Sequence, residues 1–313
     1  MGLDGGVDGS ECPGEALMAS FAQTPGDGGW TTWPAPAKLN LFLHVVGRRA
    51  DGYHLLQTAF HLLDWGDEVR LRIRDDGEIR RVDPLPDVVD DADLGVRAAR
   101  ALREATGSRL GADIAIDKYI PIGGGLGGGS SDAATVLVAL NALWDTGLDE
   151  DALARVALGL GADVPLFVRG VSAWAEGIGE RLTPLALPES WYVVVDPGVA
   201  VRTRDLFQVP ELTRNSPRLT IPLFVSGVAA GNAFEPVARA RFPAIAAALD
   251  WLGRHAEARL SGSGGCVFAR VASRVAGEAL VADCPAGMHA WAARGVVESP
   301  LRERFAAWRT EKA

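Results

Sequence analysis

From Gly123 to Gly129 the chain reads GGGLGGG, and SSDAA follows at once, so six of seven consecutive residues lack a side chain. Such a stretch lets successive backbone N–H groups curl around an anion and lets the main chain approach it closely. The residues that follow, Ser131 to Trp144, carry a helical pattern through Ala133, Val136, Leu137, Leu140 and Trp144. A helix starting there aims its unpaired first-turn N–H groups and positive dipole end at the same point. The chemistry this spacing supports is phosphate binding.

Two common phosphate loops are excluded. GxxxxGK[ST] requires a lysine beside its last glycine, and none lies between Lys118 and the end of the helix. GxGxxG is met formally by Gly123, Gly125 and Gly128, but the region some 20 residues on, LWDTGLDEDALARVA, reads as one helix ending and another starting. A dinucleotide fold needs a strand ending in an acidic residue there.

Lys38 and Asn40 sit two apart in an alternating run, so both side chains leave one face of a strand. They suit a substrate clamp or a solvated strand face. Asp163 precedes Val164 and Pro165, where it can accept a proton from a hydroxyl or cap the following helix. Tyr53 and His54 follow the Asp51-Gly52 turn and offer an aromatic face and an imidazole to a base, or simply pack. A second glycine loop, Gly262 to Gly265, reads as a connection from a helix to a strand. The remaining histidines show no spacing typical of a metal site, and no side chain is singled out as a metal ligand. No GxSxG nucleophile motif occurs.

The bulk composition narrows the partners. At 313 residues, with 48% hydrophobic and 23% charged residues, the chain can bury a substantial core. A net charge of −9 argues against nucleic acid or an anionic membrane as the main partner. Cys12, Cys266 and Cys284 are odd in number and lack metal-like spacing, which suits a reducing cytoplasm. No run has the length of a membrane span, and a soluble cytoplasmic protein is expected.

The elements that must position these residues can be outlined. Residues 1–30 are rich in Gly, Asp, Pro and Ser and are expected to be a disordered extension. A strand is predicted from Ala37 to Val46, a turn at Gly47 to Gly52, an apolar segment to Leu63, and a separate strand at Val69 to Ile73. A helix from Asp93 to Ala105 should end at a C-cap Gly107. Strand Ile114 to Ile116 leads into the glycine loop, and Asp149 caps a helix stopping near Leu160. Strands at Val171 to Ala175 and Trp191 to Asp196 follow, then helices at Asn232 to Arg239 and Pro243 to His255, a strand through Val271, and a last helix and strand over Gly287 to Val297. The mixture predicts an α+β fold of two lobes, residues 31–186 and 187–313.

Several segments together resemble the GHMP kinase superfamily: PAPAKLNLFLHVVGRRADGYHLLQT (Pro34 to Thr58), PIGGGLGGGSSDAATVLVALNALW (Pro121 to Trp144), LGADVPLF (Leu160 to Phe167), LSGSGGCVFA (Leu260 to Ala269) and RGVVESPL (Arg294 to Leu301). The KLN…ADGYH and GGGLGGGSS signatures are closest to members that phosphorylate a cytidine-diphosphate-linked methylerythritol in the non-mevalonate isoprenoid route. The likeness runs from about Pro34 to Leu301.

The resemblance implies an S5-like N-terminal lobe and a ferredoxin-like C-terminal lobe. It implies transfer of the ATP γ-phosphoryl group to the 2-hydroxyl of that alcohol, with Mg²⁺ as cofactor. Lys38 and Asp163 match the catalytic pair. Pro121, Ile122, Gly123, Gly124, Gly125, Leu126, Gly127, Gly128, Gly129, Ser130 and Ser131 match the ATP loop. Asn40, Tyr53 and His54 match the substrate side, with Tyr53 stacking on cytosine and His54 bonding its edge. Thr203 and Phe207 match a second substrate contact, although Arg204 stands where members often carry proline. Two other readings stay open: a GHMP kinase for another small alcohol such as homoserine or a mevalonate, and a nucleotide-binding regulator without turnover.

Overall fold

The computed structural model describes residues 28–83, 93–228 and 230–312. Most of the expected N-terminal extension, through residue 27, lies outside the described residues. The N-terminal half is built from β1 (Trp30–Arg48), β2 (His54–Arg74), β3 (Ile79–Arg81), α1 (Leu94–Thr106), β4 (Gly111–Asp117), α2 (Gly128–Leu143), α3 (Glu150–Leu158), α4 (Val164–Arg169), β5 (Ala173–Gly177) and β6 (Arg181–Pro184). There follow β7 (Ser190–Asp196), α5 (Thr203–Phe207), α6 (Ile221–Val225), α7 (Glu235–Arg241), α8 (Pro243–Leu252), β8 (Ala258–Leu260), β9 (Val267–Val271), α9 (Arg274–Ala282), β10 (His289–Val296) and α10 (Pro300–Lys312).

All ten strands join one sheet in which β2 is the hub. It pairs antiparallel with β1 along most of its length, with β5 through Leu56–Phe60, with β10 at Leu62 and Leu63, and with β4 through Glu68–Arg74. The apolar segment expected up to Leu63 and the strand expected at Val69 to Ile73 are therefore one strand. Gly66 permits this continuity: a Cβ there would lie 2.1 Å from the Ala35 carbonyl oxygen, so only glycine lets β1 pass so close.

Four apolar clusters fill the described residues, the smallest around Phe42, Ala59, Trp174, Leu185 and Ala230. In the first, α1, α2, α3, α4 and α10 cover the β1, β2 and β4 region around Trp33, Leu71, Ile114, Leu137 and Phe167. In the second, β7, β8 and β9 pack on α7 and α8 around Val195, Phe234, Leu249 and Leu260. A third cluster, including Leu39, Leu126, Val194, Cys266 and Phe268, ties β1 and the glycine loop to β7 and β9. The expected α+β fold is present.

Local signals explain several helix ends. Asp93 Oδ1 accepts from Val96 N at 3.0 Å, and Gly107 closes α1 in the left-handed region at φ 70°. Asp149 caps α3 in the same way. Two expectations need correction, and one helix was not expected. The second glycine loop joins two strands, β8 and β9, because the short β8 stands between α8 and that loop. The final helix expected within Gly287 to Val297 lies before it, as α9. A further helix, α10, follows β10, and its Trp308 ring packs 6.3 Å from Trp33 on the N-terminal core.

Candidate active site

β1 carries Lys38 and Asn40 on one face, as the alternation requires, but that face is buried rather than solvated: each is only 3% exposed. Lys38 Nζ donates to Asn40 Oδ1 at 2.5 Å and to the Gly125 carbonyl at 2.8 Å. Asn40 Nδ2 donates in turn to Thr58 Oγ1 at 2.9 Å. Burial lowers the Lys38 pKa from its ordinary value, and the nearby Asp163 carboxylate opposes that shift. A buried ammonium of this kind is held by dipoles and one carboxylate, and releases its proton more readily than a surface lysine.

Asp163 occupies the N-cap position of α4, yet its side chain makes no capping hydrogen bond. Its Oδ2 instead lies 3.8 Å from Lys38 Nζ, and the carboxylate is about one-third exposed toward the cavity. The capping role open to it from sequence is not used.

The glycine loop rises above this pair. Gly123, Gly125 and Gly127 all have positive φ, between 75° and 79°. Among the described residues, no acceptor is placed to receive the backbone N–H groups of residues 125–130, which run through Gly127 into the first turn of α2. A row of unpaired N–H donors at the start of a 16-residue helix is an anion cradle.

Much of the glycine requirement has a second cause. Gly265 N donates to Gly123 O at 3.1 Å and Cys266 N to Gly124 O at 3.0 Å, so the two glycine loops lie backbone to backbone. A Cβ on Gly125 would come within 2.1 Å of Ser261 O, and one on Gly264 within 2.0 Å of Gly125 N. The second loop is thus the scaffold of the first.

The pair, both loops and the predicted substrate residues line one open cavity of about 1400 Å³. Asn40, Tyr53, His54, Thr203 and Phe207 all face it, as do Pro121 through Ser130. Ser131 does not: it is fully buried and its Oγ has no partner. Tyr53 is 61% exposed, whereas the face of Phe207 is covered by the His54 ring, stacked at 4.7 Å. Thr203 Oγ1 lies 2.8 Å from Ser263 Oγ, linking the α5 turn to the second loop.

Some cavity residues were not singled out from sequence. Lys118 Nζ is paired with Asp67 and, at 2.6 Å, with Asp132 Oδ2. Burial raises the Asp132 carboxyl to about 7, with Lys118 pulling it down and Asp67 pushing it up; its Oδ1 has no partner. Arg214 also lines the cavity and donates to His54. Asp132 was legible as the acidic residue directly after the loop serines, but its lysine partner was visible only as a missing Walker lysine.

Comparison with known proteins places the chain by stages. Residues 93–171 match the GHMP kinases N terminal domain, and residues 219–290 match GHMP kinases C terminal. The fold is thus that of a GHMP kinase, a class that uses ATP. A protein of Xanthomonas axonopodis pv. citri named 4-diphosphocytidyl-2-C-methyl-D-erythritol kinase is 59% identical over 276 residues, covering 88% of this chain and 94% of that protein. One of the same name from Halorhodospira halophila is 56% identical, covering 87% and 95%. A crystal structure of 4-(cytidine 5'-diphospho)-2C-methyl-D-erythritol kinase matches with a TM-score of 0.75 at 35% identity, over 85% of this chain and all of that one. The mevalonate kinase of Methanococcus jannaschii, at 15% identity and TM-score 0.64, shares the fold alone. The chain belongs to the 4-diphosphocytidyl-2-C-methyl-D-erythritol kinase family.

Proposed function

We propose that this chain phosphorylates the 2-hydroxyl of 4-diphosphocytidyl-2-C-methyl-D-erythritol with ATP, giving the 2-phosphate and ADP for isoprenoid precursor synthesis. The observation that carries the reading is the unpaired N–H row of residues 125–130 set above the 3.8 Å Lys38–Asp163 pair in one cavity. Phosphoryl transfer needs positioning and charge neutralisation more than covalent help. The N–H row receives the nucleotide phosphates. Lys38 offsets negative charge where the accepting hydroxyl loses its proton, and Asp163 orients that hydroxyl and takes the proton.

The cytidine end belongs on the opposite side of the cavity. Tyr53 presents an exposed ring for stacking, Phe207 a second aromatic ring on which His54 is stacked, and His54 a polar edge. Asn40 and Thr203 face the space between. Division into lobes 31–186 and 187–313, with the nucleotide loop on the first and the Thr203–Phe207 contact on the second, is part of the same proposal. So is a cytoplasmic setting, which the unpaired thiols of Cys266 and Cys284 suit.

Mg²⁺ fits this reading through oxygen donors. Asp132 Oδ1, without a partner beside the phosphate loop, is the protein oxygen that would hold it alongside the phosphates. Held there, it would supply charge neutralisation for the transferring phosphoryl group.

An ADP-release assay offering the cytidine-bearing alcohol, mevalonate and homoserine tests the proposal. Turnover confined to the first is expected. Equal turnover of an alcohol without cytosine defeats the substrate assignment, and no turnover of ATP with any alcohol favours a regulator.

A further inference from the structure

Arg214 lies in the loop after α5, 160 residues from His54 in sequence, and meets it across the cavity wall. All five of its N–H donors are used. Nε donates to His54 Nε2 at 3.2 Å. One terminal nitrogen donates to the carbonyls of Pro210 and Leu212 at 3.3 and 3.0 Å. The other donates to those of Phe207 and Val209 at 3.0 and 2.8 Å. Four of the five acceptors belong to the turn that ends α5, and the fifth is the imidazole stacked on Phe207. A planar guanidinium with a rigid fork of donors is the side chain suited to such a node, and lysine's single ammonium cannot reproduce it.

We infer that Arg214 is a positioning residue of the base-binding side: it fixes His54 in the tautomer protonated on Nδ1 and fastens Phe207 beside it. The reasoning is one of hydrogen-bond chemistry. A guanidinium has no acceptor, so the His54 nitrogen facing it must present its lone pair. A neutral imidazole carries one ring proton, which must then sit on Nδ1. Burial first, then the positive charges of Arg214 and Arg48, lower the His54 pKa and keep the ring neutral. His54 therefore offers the ligand a fixed N–H donor, which selects a base edge rich in acceptors. Cytosine has such an edge, with O2 and N3 side by side, whereas uracil carries a hydrogen on N3. This deepens the proposed function and rests on its placement of the base at His54.

Two readouts on the full-length protein test the inference and separate it from that placement. ¹⁵N chemical shifts of the His54 ring near pH 8 should show Nδ1 protonated and Nε2 bare in the unaltered protein, and a swing toward Nε2–H in Arg214→Met. Loss of one oriented hydrogen bond should raise KM for the cytidine substrate about tenfold in that variant, with KM for ATP and kcat within about twofold. Arg214→Gln, which serves if the methionine variant fails to fold, keeps amide contacts to the carbonyls but presents no obligate donor to the ring, and should show a smaller swing in the same direction and a smaller KM rise. An Nε2–H ring in the unaltered protein, or an unchanged tautomer and KM in a folded variant, overturns the inference. His54→Ala judges the placement separately: if its KM for the cytidine substrate is unchanged, the base does not meet His54, while the tautomer result still decides the role of Arg214 toward the ring.

Discussion

The Asp163 carboxylate stands 3.8 Å from Lys38 Nζ and caps none of the N–H groups of the helix it begins. A residue at a helix start usually spends its oxygen on the helix. Here that oxygen is left facing a buried cation and the cavity, so removing it should disturb chemistry far more than folding.

Asp163→Ala should therefore lower kcat by ~10²–10⁴-fold, the usual worth of a positioned proton acceptor, with KM for ATP kept. Steady-state ADP release measures it, and an unchanged kcat removes Asp163 from the mechanism.

Tyr53→Ala should raise KM for the cytidine substrate by about 5- to 150-fold, the equivalent of ~1–3 kcal/mol of stacking. The ring is 61% exposed, so the fold should not suffer. A matching rise in KM for ATP would make the tyrosine structural instead.

His61 governs a pH response. It is 1% exposed on β2, its Nδ1 lies 3.0 Å from the Tyr192 hydroxyl, and Nε2 has no partner. Burial, helped by Arg270, lowers its pKa to about 4. The unfolded chain takes up this proton near pH 6.5 and the folded chain only near 4, so stability present above 6.5 is lost as pH falls through that window. The loss is about 3 kcal/mol from this group. Denaturant titrations at pH 7 and pH 4 should show His61→Gln losing correspondingly less, and an equal loss in both proteins would refute the account.

Two glycine substitutions should separate backbone conformation from crowding. Gly107 and Gly125 both have φ above 70° or at it, but a Cβ on Gly107 meets nothing within 4 Å. Gly107→Ala should cost on the order of 1–2 kcal/mol from the left-handed backbone alone. Gly125→Ala adds a clash with Ser261 O and should cost on the order of 1–3 kcal/mol more. Chemical denaturation measures both, and equal costs would show that the loops do not press on each other.

The nucleotide side was legible because it obeys local rules: glycines where backbone must meet an anion, then a helix start. The spacing of Lys38 and Asn40 was legible too, as a shared strand face. Their burial was not, since it comes from distant segments laid over that face: the Gly125 carbonyl accepts from Lys38 and Thr58 from Asn40. The continuity of β2 through Gly66 was not legible either, because the neighbour that requires a glycine there, Ala35, acts across a strand pair. The three-residue β8 is too short for alternation to show. In α10 the apolar residues Leu301, Phe305 and Trp308 do recur at helical spacing, but they are outnumbered by charged neighbours. Arg214 and Lys118 could not be assigned because their partners are set by tertiary contact.

The two interlocked glycine loops also bear on synthesis. Gly123 and Gly124 receive their backbone partners from Gly265 and Cys266, more than 140 residues downstream. A nascent chain that has emerged only as far as α8 holds every glycine of the first loop and Lys38 beneath it, but not the Gly265 and Cys266 N–H groups that brace its first two glycines. Competence to grip a nucleotide thus arrives late, once the second loop has left the ribosome, and a fragment cut short at its carboxyl end before that loop should be a poor scavenger of cellular ATP.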